Sequence, residues 1–371
     1  MVRTTPSGGF SPQRKKSATR LYNAVLLPNR PQPMPHYDTL IYIGRFQPFH
    51  LGHLHMVQGA LAHADHLIIL CGSADVARSS RNPWTVAERE AMIRAALTPE
   101  ENARISLRPI HDDPYHDERW VAQIQRTVAE VLAARDTADA SVALYGYEKD
   151  ASSYYLRLFP QWGYLGAPRY RDLSATPLRE RYFLLKDDED WGEAELPPAV
   201  EAALRTFRAT PDYHRLAAET RYVCDYKASW AASPYPPIFV TVDNLITCDG
   251  HILLVERGGQ PGCGLLALPG GFLNPEETLL TASLRELHEE TGLRLDPADL
   301  ISVRTADRPD RSAIGRVITH VHRYHLDGTL PPVQAADDAA KAYWHPLNDL
   351  RRDRFHEDHY HLIRDGLAED R

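Results

Sequence analysis

Residues 39–53 read TLIYIGRFQPFHLGH. The run from Thr39 to Ile43 is apolar and ends at Gly44, the pattern of a short buried strand. Residues 53–62 continue as a helix, so Gly44–His53 is a strand-to-helix loop. Such a loop is an anion site. The first helical turn has unpaired N–H groups and a partial positive charge. Gly52 would let a ligand approach the backbone closely. His50 and His53 lie three apart, so both can point at one phosphate, and Arg45 adds a forked donor. Two histidines at a helix start also occur by chance, so the context has to carry the reading.

Working outward, the context is α/β. Residues 66–71 (HLIILC) read as a second buried strand and 141–145 as a third. Helical patterns cover 85–97 and 120–134. Strands alternating with helices predict a parallel, doubly wound sheet. The rhythm breaks at residues 186–195 (KDDEDWGEAE), an acidic run closed by Pro197-Pro198 that reads as a solvated linker. Helical stretches follow over 200–230. Two β-branched runs, 238–246 and 252–255, then flank Asp249-Gly250, a hairpin turn pair.

In this first half, GRFQPFHLGH resembles the signature of the nucleotidyltransferase superfamily, in its nicotinamide mononucleotide (NMN) adenylyltransferase branch. Three more segments agree: Arg81-Asn82-Pro83-Trp84-Thr85 with Glu88-Arg89, Gly146–Asp150 with residues 152–155, and Leu173–Arg179. The resemblance implies a Rossmann-like domain. It places His50 and His53 on ATP phosphates, with Arg45 facing the triphosphate, Gly44 and Gly52 among the substrate-binding residues, and Ser174, Thr176 and Arg179 closing over the β- and γ-phosphates. It puts Arg81 on the mononucleotide 5′-phosphate, Trp120 against the nicotinamide ring and Asp117 on the carboxamide. A tryptophan on a two-faced helix is also ordinary core material. His116 departs from the Asn usual in bifunctional relatives. Arg81, Trp84 and Trp120 favour a pyridine mononucleotide as acceptor. The alternative acceptor is another phosphate ester, such as pantetheine phosphate.

The second decisive stretch is residues 271–293, GFLNPEETLLTASLRELHEETGL. Asn274, Pro275 and Glu277 form a capping-box pattern and Gly292 a helix stop, predicting a helix over 275–291. Leu279, Leu280, Leu284 and Leu287 supply its buried stripe. Glu286, Glu289 and Glu290, at i, i+3 and i+4, share one face. Three crowded carboxylates suit a hard divalent cation, magnesium or manganese, and Arg285 can brace them. A solvated acidic face would look similar.

The full spacing, from Gly271 through Glu277 and Arg285-Glu286-Leu287 to Glu289-Glu290 and Gly292-Leu293, resembles the Nudix box without a departure. That resemblance implies a C-terminal Nudix α/β/α sandwich that hydrolyses a nucleoside diphosphate, with Glu286, Glu289 and Glu290 as metal ligands and Glu290 catalytic. Glu277 has a cap role sufficient to explain it. Asp337, Asp338 and Glu357 are unranked candidates for general base. An adenylyltransferase followed by a Nudix domain, with FHEDHY at 355–360, resembles bifunctional bacterial enzymes of NAD metabolism. The expected ligands are ATP, NMN and ADP-ribose. A Nudix domain that only senses nucleotides is the alternative.

At ~150 residues per domain, 371 residues give roughly two and a half domains. The expected division is a basic, disordered tail (1–36), a nucleotidyltransferase domain (37–185), an acidic helical linker (186–236) and a Nudix domain (237–371). Residues 1–36 carry no acid; the composition also fits a transit peptide or an upstream start codon. No apolar run reaches the ~20 residues of a membrane helix. A net charge of −8 provides no global field for nucleic acid or anionic lipid. Four scattered cysteines, never CxxC, read as mostly buried thiols in a reducing compartment, the cytoplasm. Oligomeric state is left open.

Overall fold

The computed structural model describes residues 35–147, 151–168, 170, 171, 173–186, 188–336 and 339–368. The first half alternates strand and helix: β1 (Tyr37–Gly44), α1 (Leu51–His63), β2 (Ala64–Cys71), α2 (Val86–Ala95), α3 (Pro99–Ala103), β3 (Ile105–Pro109), α4 (Asp117–Ala134), β4 (Val142–Gly146), β5 (Gly163–Gly166) and α5 (Ala175–Leu184). Its five strands are all parallel in the order β3-β2-β1-β4-β5. The apolar runs are buried on both faces, as a parallel sheet requires. Leu40, Tyr42, Leu67 and Ile69 face α1, α2 and α5. Ile41, Ile68 and Leu70 face Ile124, Val128 and Val131 of α4. Strand order reverses between β1 and β4, so the loops leaving their C-terminal ends diverge and open a crevice there.

Residues 186–236 are not a solvated tether. They carry α6 (Pro198–Phe207) and α7 (Pro211–Ser229). Trp191, inside the acidic run, is fully buried, and with Leu196, Val200, Leu204, Phe207 and Leu216 it extends the core of the first sheet. Arg205 and Arg208 lie over its ring at 5.6 and 5.5 Å. The acids of the run pair outward, Glu193 with Arg205 and Glu195 with Arg181. Acidic composition therefore hid one large apolar anchor.

The second half contains β6 (Ile238–Cys248), β7 (His251–Arg257), β8 (Leu266–Ala267), β9 (Gly270–Phe272), α8 (Leu279–Thr291), β10 (Ser302–Ala306), β11 (Arg316–Leu326), β12 (Ala339–Pro346) and α9 (His359–Ala368). The sheet runs β10-β11-β6-β7-β12, with β8 on β7 and β9 on β6. Asp249 and Gly250 both have positive φ (43° and 71°), which suits the twist of the β6–β7 hairpin. Alternate residues face opposite helices. Ile246 and Leu253 pack with Leu287 of α8, whereas Leu245, Ile252 and Leu254 pack with Leu362 and Ile363 of α9. This is the α/β/α sandwich. Residues from His36 onward form one compact unit. Among the described residues, no helix is long and apolar enough to cross a membrane. The cysteines are free thiols, Cys71 and Cys248 buried, Cys224 half-buried and Cys263 exposed.

Candidate active sites

The first site forms where β1 meets α1. Gly44 is needed here for packing: a Cβ would lie 2.7 Å from the Phe46 ring. Gly52 has a similar local reason, since a Cβ there would meet the His50 ring at 2.9 Å. It makes room for an imidazole rather than for a ligand. His50 caps α1, its Nδ1 accepting from the Gly52 N–H at 3.1 Å. His53 Nδ1 accepts from the His50 N–H at 3.3 Å. The two rings stack with centroids 3.7 Å apart. A neutral imidazole whose Nδ1 accepts carries its proton on Nε2. His50 is thus set as an Nε2–H donor, and the His53 ring also reaches the Pro48 carbonyl. Burial, with His50 alongside, holds His53 well below the usual histidine range, so it stays neutral.

Around them lies a cavity of about 200 Å³ lined by Arg45, Gly52, Ser174, Thr176 and Arg179 among others. Ser174 is the N-cap of α5, yet its hydroxyl makes no cap bond. Arg179 is buried and donates to Gln47 O at 2.7 Å and Thr176 Oγ1 at 3.2 Å. Burial, then Arg45 and Arg81, push its guanidinium down to about 9. Arg45 is lowered by burial and by Arg81. Buried like charges that depress one another call for an anion between them.

Arg45 also lines a larger cavity of about 390 Å³, together with Arg81, Asp117 and Trp120. Asp117 opens α4 and accepts from Tyr154 Oη at 2.8 Å. Trp120 is half-buried, packed edge-on to Tyr155 at 6.1 Å. Trp84 does not join them. It is buried against Tyr182, Phe183 and Phe207 and belongs to the core. His116 Nε2 lies 3.0 Å from Asp365 of α9, so its departure from the family pattern coincides with a contact between the halves. Residues 148–150 of the central motif lie outside the described residues.

Two residues with no assigned role shape this site. Gln47 brackets the Trp84 backbone, accepting from its N–H at 3.1 Å and donating to its carbonyl at 2.9 Å. Arg89, fully buried, donates to the carbonyls of Arg45, Gly72 and Ser73. Neither carries a local signal beyond being polar inside a motif.

The second site lies on α8, which starts later than its sequence suggests. Its N-cap is Thr278, accepting from the Thr281 N–H at 3.2 Å, not Asn274. Residues 274–277 form a separate turn, in which the Asn274 N–H reaches Glu277 Oε1 at 2.8 Å. Glu277 is drawn off the helix axis by Arg285, which grips it at 2.6 and 2.9 Å. That grip holds the Glu277 carboxyl down to about 2. The buried stripe is Ala282, Ser283, Leu287, Glu290 and Thr291, with Leu279, Leu280 and Leu284 only half-buried. Gly292, at φ 72°, ends the helix as expected.

Arg285 also braces Glu286 at 2.9 Å and Glu289 at 2.8 Å. Glu290 is buried and accepts from the Gly270 N–H at 2.9 Å. Burial pushes its carboxyl up to about 8, with Glu286 and Asp243 adding to the rise. Burial raises Glu286 too. Gly271 leaves room for the Glu286 carboxylate, since a Cβ would fall 2.4 Å from Glu286 Oε1 and push it aside. Among the described residues, no three His, Cys, Asp or Glu already converge on one point. The donor set nevertheless fits a divalent cation: oxygen-only ligands, with Glu286 and Glu290 drawn into a setting that penalises their charge. Asp243, which accepts from Thr319 Oγ1 at 2.5 Å, is an acid the box spacing does not reveal.

Glu357 sits elsewhere. It lines the 390 Å³ cavity, which none of the described α8 residues lines. Its carboxylate accepts from the Ala313 N–H at 2.6 Å, and burial raises it to about 7. Asp337 and Asp338 fall outside the described residues.

Comparison with known proteins identifies both domains. A cytidylyltransferase-like domain model matches residues 41–181 and a NUDIX domain model residues 238–366. These matches define a chain that joins a nucleotidyltransferase to a Nudix hydrolase. Two crystal structures of a bifunctional NMN adenylyltransferase/ADP-ribose pyrophosphatase from Francisella tularensis superpose with TM-scores of 0.83 and 0.81, the second complexed with AMP and a manganese ion. Identity is 34% and 35%, over 90% of this chain and 99% of theirs. A nicotinamide/nicotinic acid mononucleotide adenylyltransferase from Acinetobacter baylyi is 39% identical over 48% of this chain and 92% of its own length. An ADP-ribose pyrophosphatase from Methanocaldococcus jannaschii is 40% identical over 34% of this chain and 72% of its own. The chain belongs to the bifunctional NMN adenylyltransferase/ADP-ribose pyrophosphatase family.

Proposed function

We propose that the protein makes NAD in its first half and hydrolyses ADP-ribose in its second. The observation that carries the first activity is the cavity in which Arg45 and Arg179 flank His50 and His53, with Arg81 in the adjoining cavity that Arg45 also lines. The 5′-phosphate of NMN, held by Arg81, attacks the α-phosphorus of ATP. The bond from that phosphorus to the bridging oxygen breaks, and pyrophosphate leaves. His50, His53 and Arg179 donate to phosphate oxygens as charge moves onto the leaving group, and Ser174 and Thr176 hold its far end. Gly44, Gly52 and Arg45 shape the loop around it. Trp120 stacks on the pyridinium, and Asp117 accepts from the carboxamide. Catalysis is positioning plus charge neutralisation.

In the second half, Glu286, Glu289 and Glu290 would hold magnesium or manganese. When bound, the ion polarises the pyrophosphate and activates water. Arg285 orients Glu286 and Glu289, and the Gly270 N–H fixes Glu290. The products are AMP and ribose 5-phosphate. The proposed division follows the expected boundaries 37–185 and 237–371, with 186–236 as part of the first unit's core. Free thiols throughout suit a cytoplasmic setting.

The test is direct. Incubation with ATP, magnesium and NMN should yield NAD and pyrophosphate, and incubation with ADP-ribose should yield AMP and ribose 5-phosphate, followed by chromatography. Absence of NAD refutes the first assignment, and intact ADP-ribose refutes the second.

A further inference from the structure

The cavity that holds Arg81, Asp117 and Trp120 has walls from both halves of the chain. Arg308, Asp310 and Glu357, all from the Nudix half, face it. The 307–313 loop, between β10 and β11, supplies the nearest of these groups. Arg308 crosses to the first half and donates to Pro114 O at 2.6 Å, while its Nε holds Asp310 Oδ1 at 2.7 Å. Arg81 in turn donates to Asp310 O at 2.5 Å and to Ser312 O at 3.4 Å. The loop is anchored behind by the buried Arg311–Asp358 pair at 2.8 Å, to which Tyr115 of the first half adds a hydrogen bond at 2.5 Å.

A second tie reaches the same place from below. Glu219 of α7 is buried, and its carboxylate accepts from the Ser80 N–H at 2.7 Å and the Gly262 N–H at 3.3 Å. Ser80 is the neighbour of Arg81, and Gly262 belongs to the Nudix half. The guanidinium of Arg81 is therefore fixed by contacts that a separate adenylyltransferase domain would lack, and the carboxylate that holds its neighbour Ser80 is itself tied to the Nudix half through Gly262. A guanidinium has five N–H donors, so two carbonyls leave donors for a phosphate. Holding a long side chain in place beforehand removes an ordering cost from binding.

We propose that the 307–313 loop of the Nudix half is a wall of the mononucleotide site, with Arg308 a positioning residue that acts through Asp310 and Arg81. This rests on the assignment of NMN as a substrate. The hydrolase half would then serve synthesis directly, by setting affinity for the mononucleotide but not for ATP.

The experiment uses the full chain carrying Arg308→Ala, and separately Asp310→Ala. KM for NMN should rise about tenfold while KM for ATP stays within about twofold, and calorimetric Kd for NMN should rise in parallel. Arg308→Lys, which can still reach the Pro114 carbonyl, should recover part of the loss. ADP-ribose hydrolysis and thermal melting of the same samples report whether the Nudix half is folded. KM for NMN unchanged within twofold overturns the proposal. So does a lowered KM, which would make the loop a competitor of the phosphate, or an equal rise for both substrates. Wild-type protein that binds NMN yet makes no NAD refutes the assigned reaction and leaves the wall standing.

Discussion

At the scale of single residues, the two sites should separate cleanly. His53→Ala removes one buried imidazole from the phosphate site, so NAD synthesis should fall roughly 10²–10³-fold, with ADP-ribose hydrolysis unchanged. Glu290→Gln keeps the shape but removes a ligand charge. Hydrolysis should fall by at least about 100-fold while synthesis persists; full turnover of ADP-ribose would refute the metal role of Glu290. These residues were legible because each kind of chemistry demands given side chains at short spacing: HxGH at a strand-to-helix turn, or three glutamates on one helical face. Gln47, Arg89, Asp243 and Glu219 were not. Their partners lie tens of residues away in sequence, and no local pattern marks a polar side chain that will be buried against a distant backbone.

At the scale of elements, the start of α8 is the instructive departure. Asn274, Pro275 and Glu277 satisfy every local rule for a helix start, yet the helix begins at Leu279. Glu277 keeps the bond from the Asn274 N–H and adds a forked, charge-assisted pair with Arg285, so the pattern closes a separate turn ahead of the helix. Thr278→Ala should therefore cost about 1 kcal/mol in denaturant unfolding, whereas Asn274→Ala should cost well under half that. Gly271→Ala makes a sharper test of the same element. Its methyl would occupy the place of the Glu286 carboxylate. Hydrolysis should fall about 10- to 100-fold as the Glu286 carboxylate is pushed aside, even though the helix remains, with circular dichroism as the check. Although seven shorter or more polar strands among the described residues went unread, the five read from the sequence needed no such correction. Their apolar runs are long enough to be buried on both faces, and no long-range charge pair competes with that preference.

At the scale of the whole molecule, the buried histidines set an acid limit. Burial lowers His66 and His361 to about 4, and holds His356 and His359 below the usual range. Between pH ~6.5 and ~4 the unfolded chain binds protons that the folded chain refuses. The stability these four histidines contribute is thus full above about pH 6.5 and is lost as pH falls through that window, while Glu290 and Glu357, raised to about 8 and about 7 in the fold, act in the opposite direction. The domain arithmetic also changes meaning at this scale. The fractional half domain reads as a tether because acids surround Trp191, and composition alone does not show which side of a segment faces inward. A fragment ending at residue 185 loses Trp191, Leu204, Phe207 and Leu216 from its core, and should be recovered only in aggregated form, whereas one ending at 236 keeps them. Helix α7 begins in the first core at Leu216 and ends where Tyr226 and Trp230 meet Phe239, the second residue of β6, at 5.7 and 5.3 Å. It works as a keyed shaft between two machines. One inserted residue would turn everything beyond it by about 100° and advance it by about 1.5 Å. The number of residues in α7 is therefore a setting of the angle between the two enzymes, and not a length that can drift.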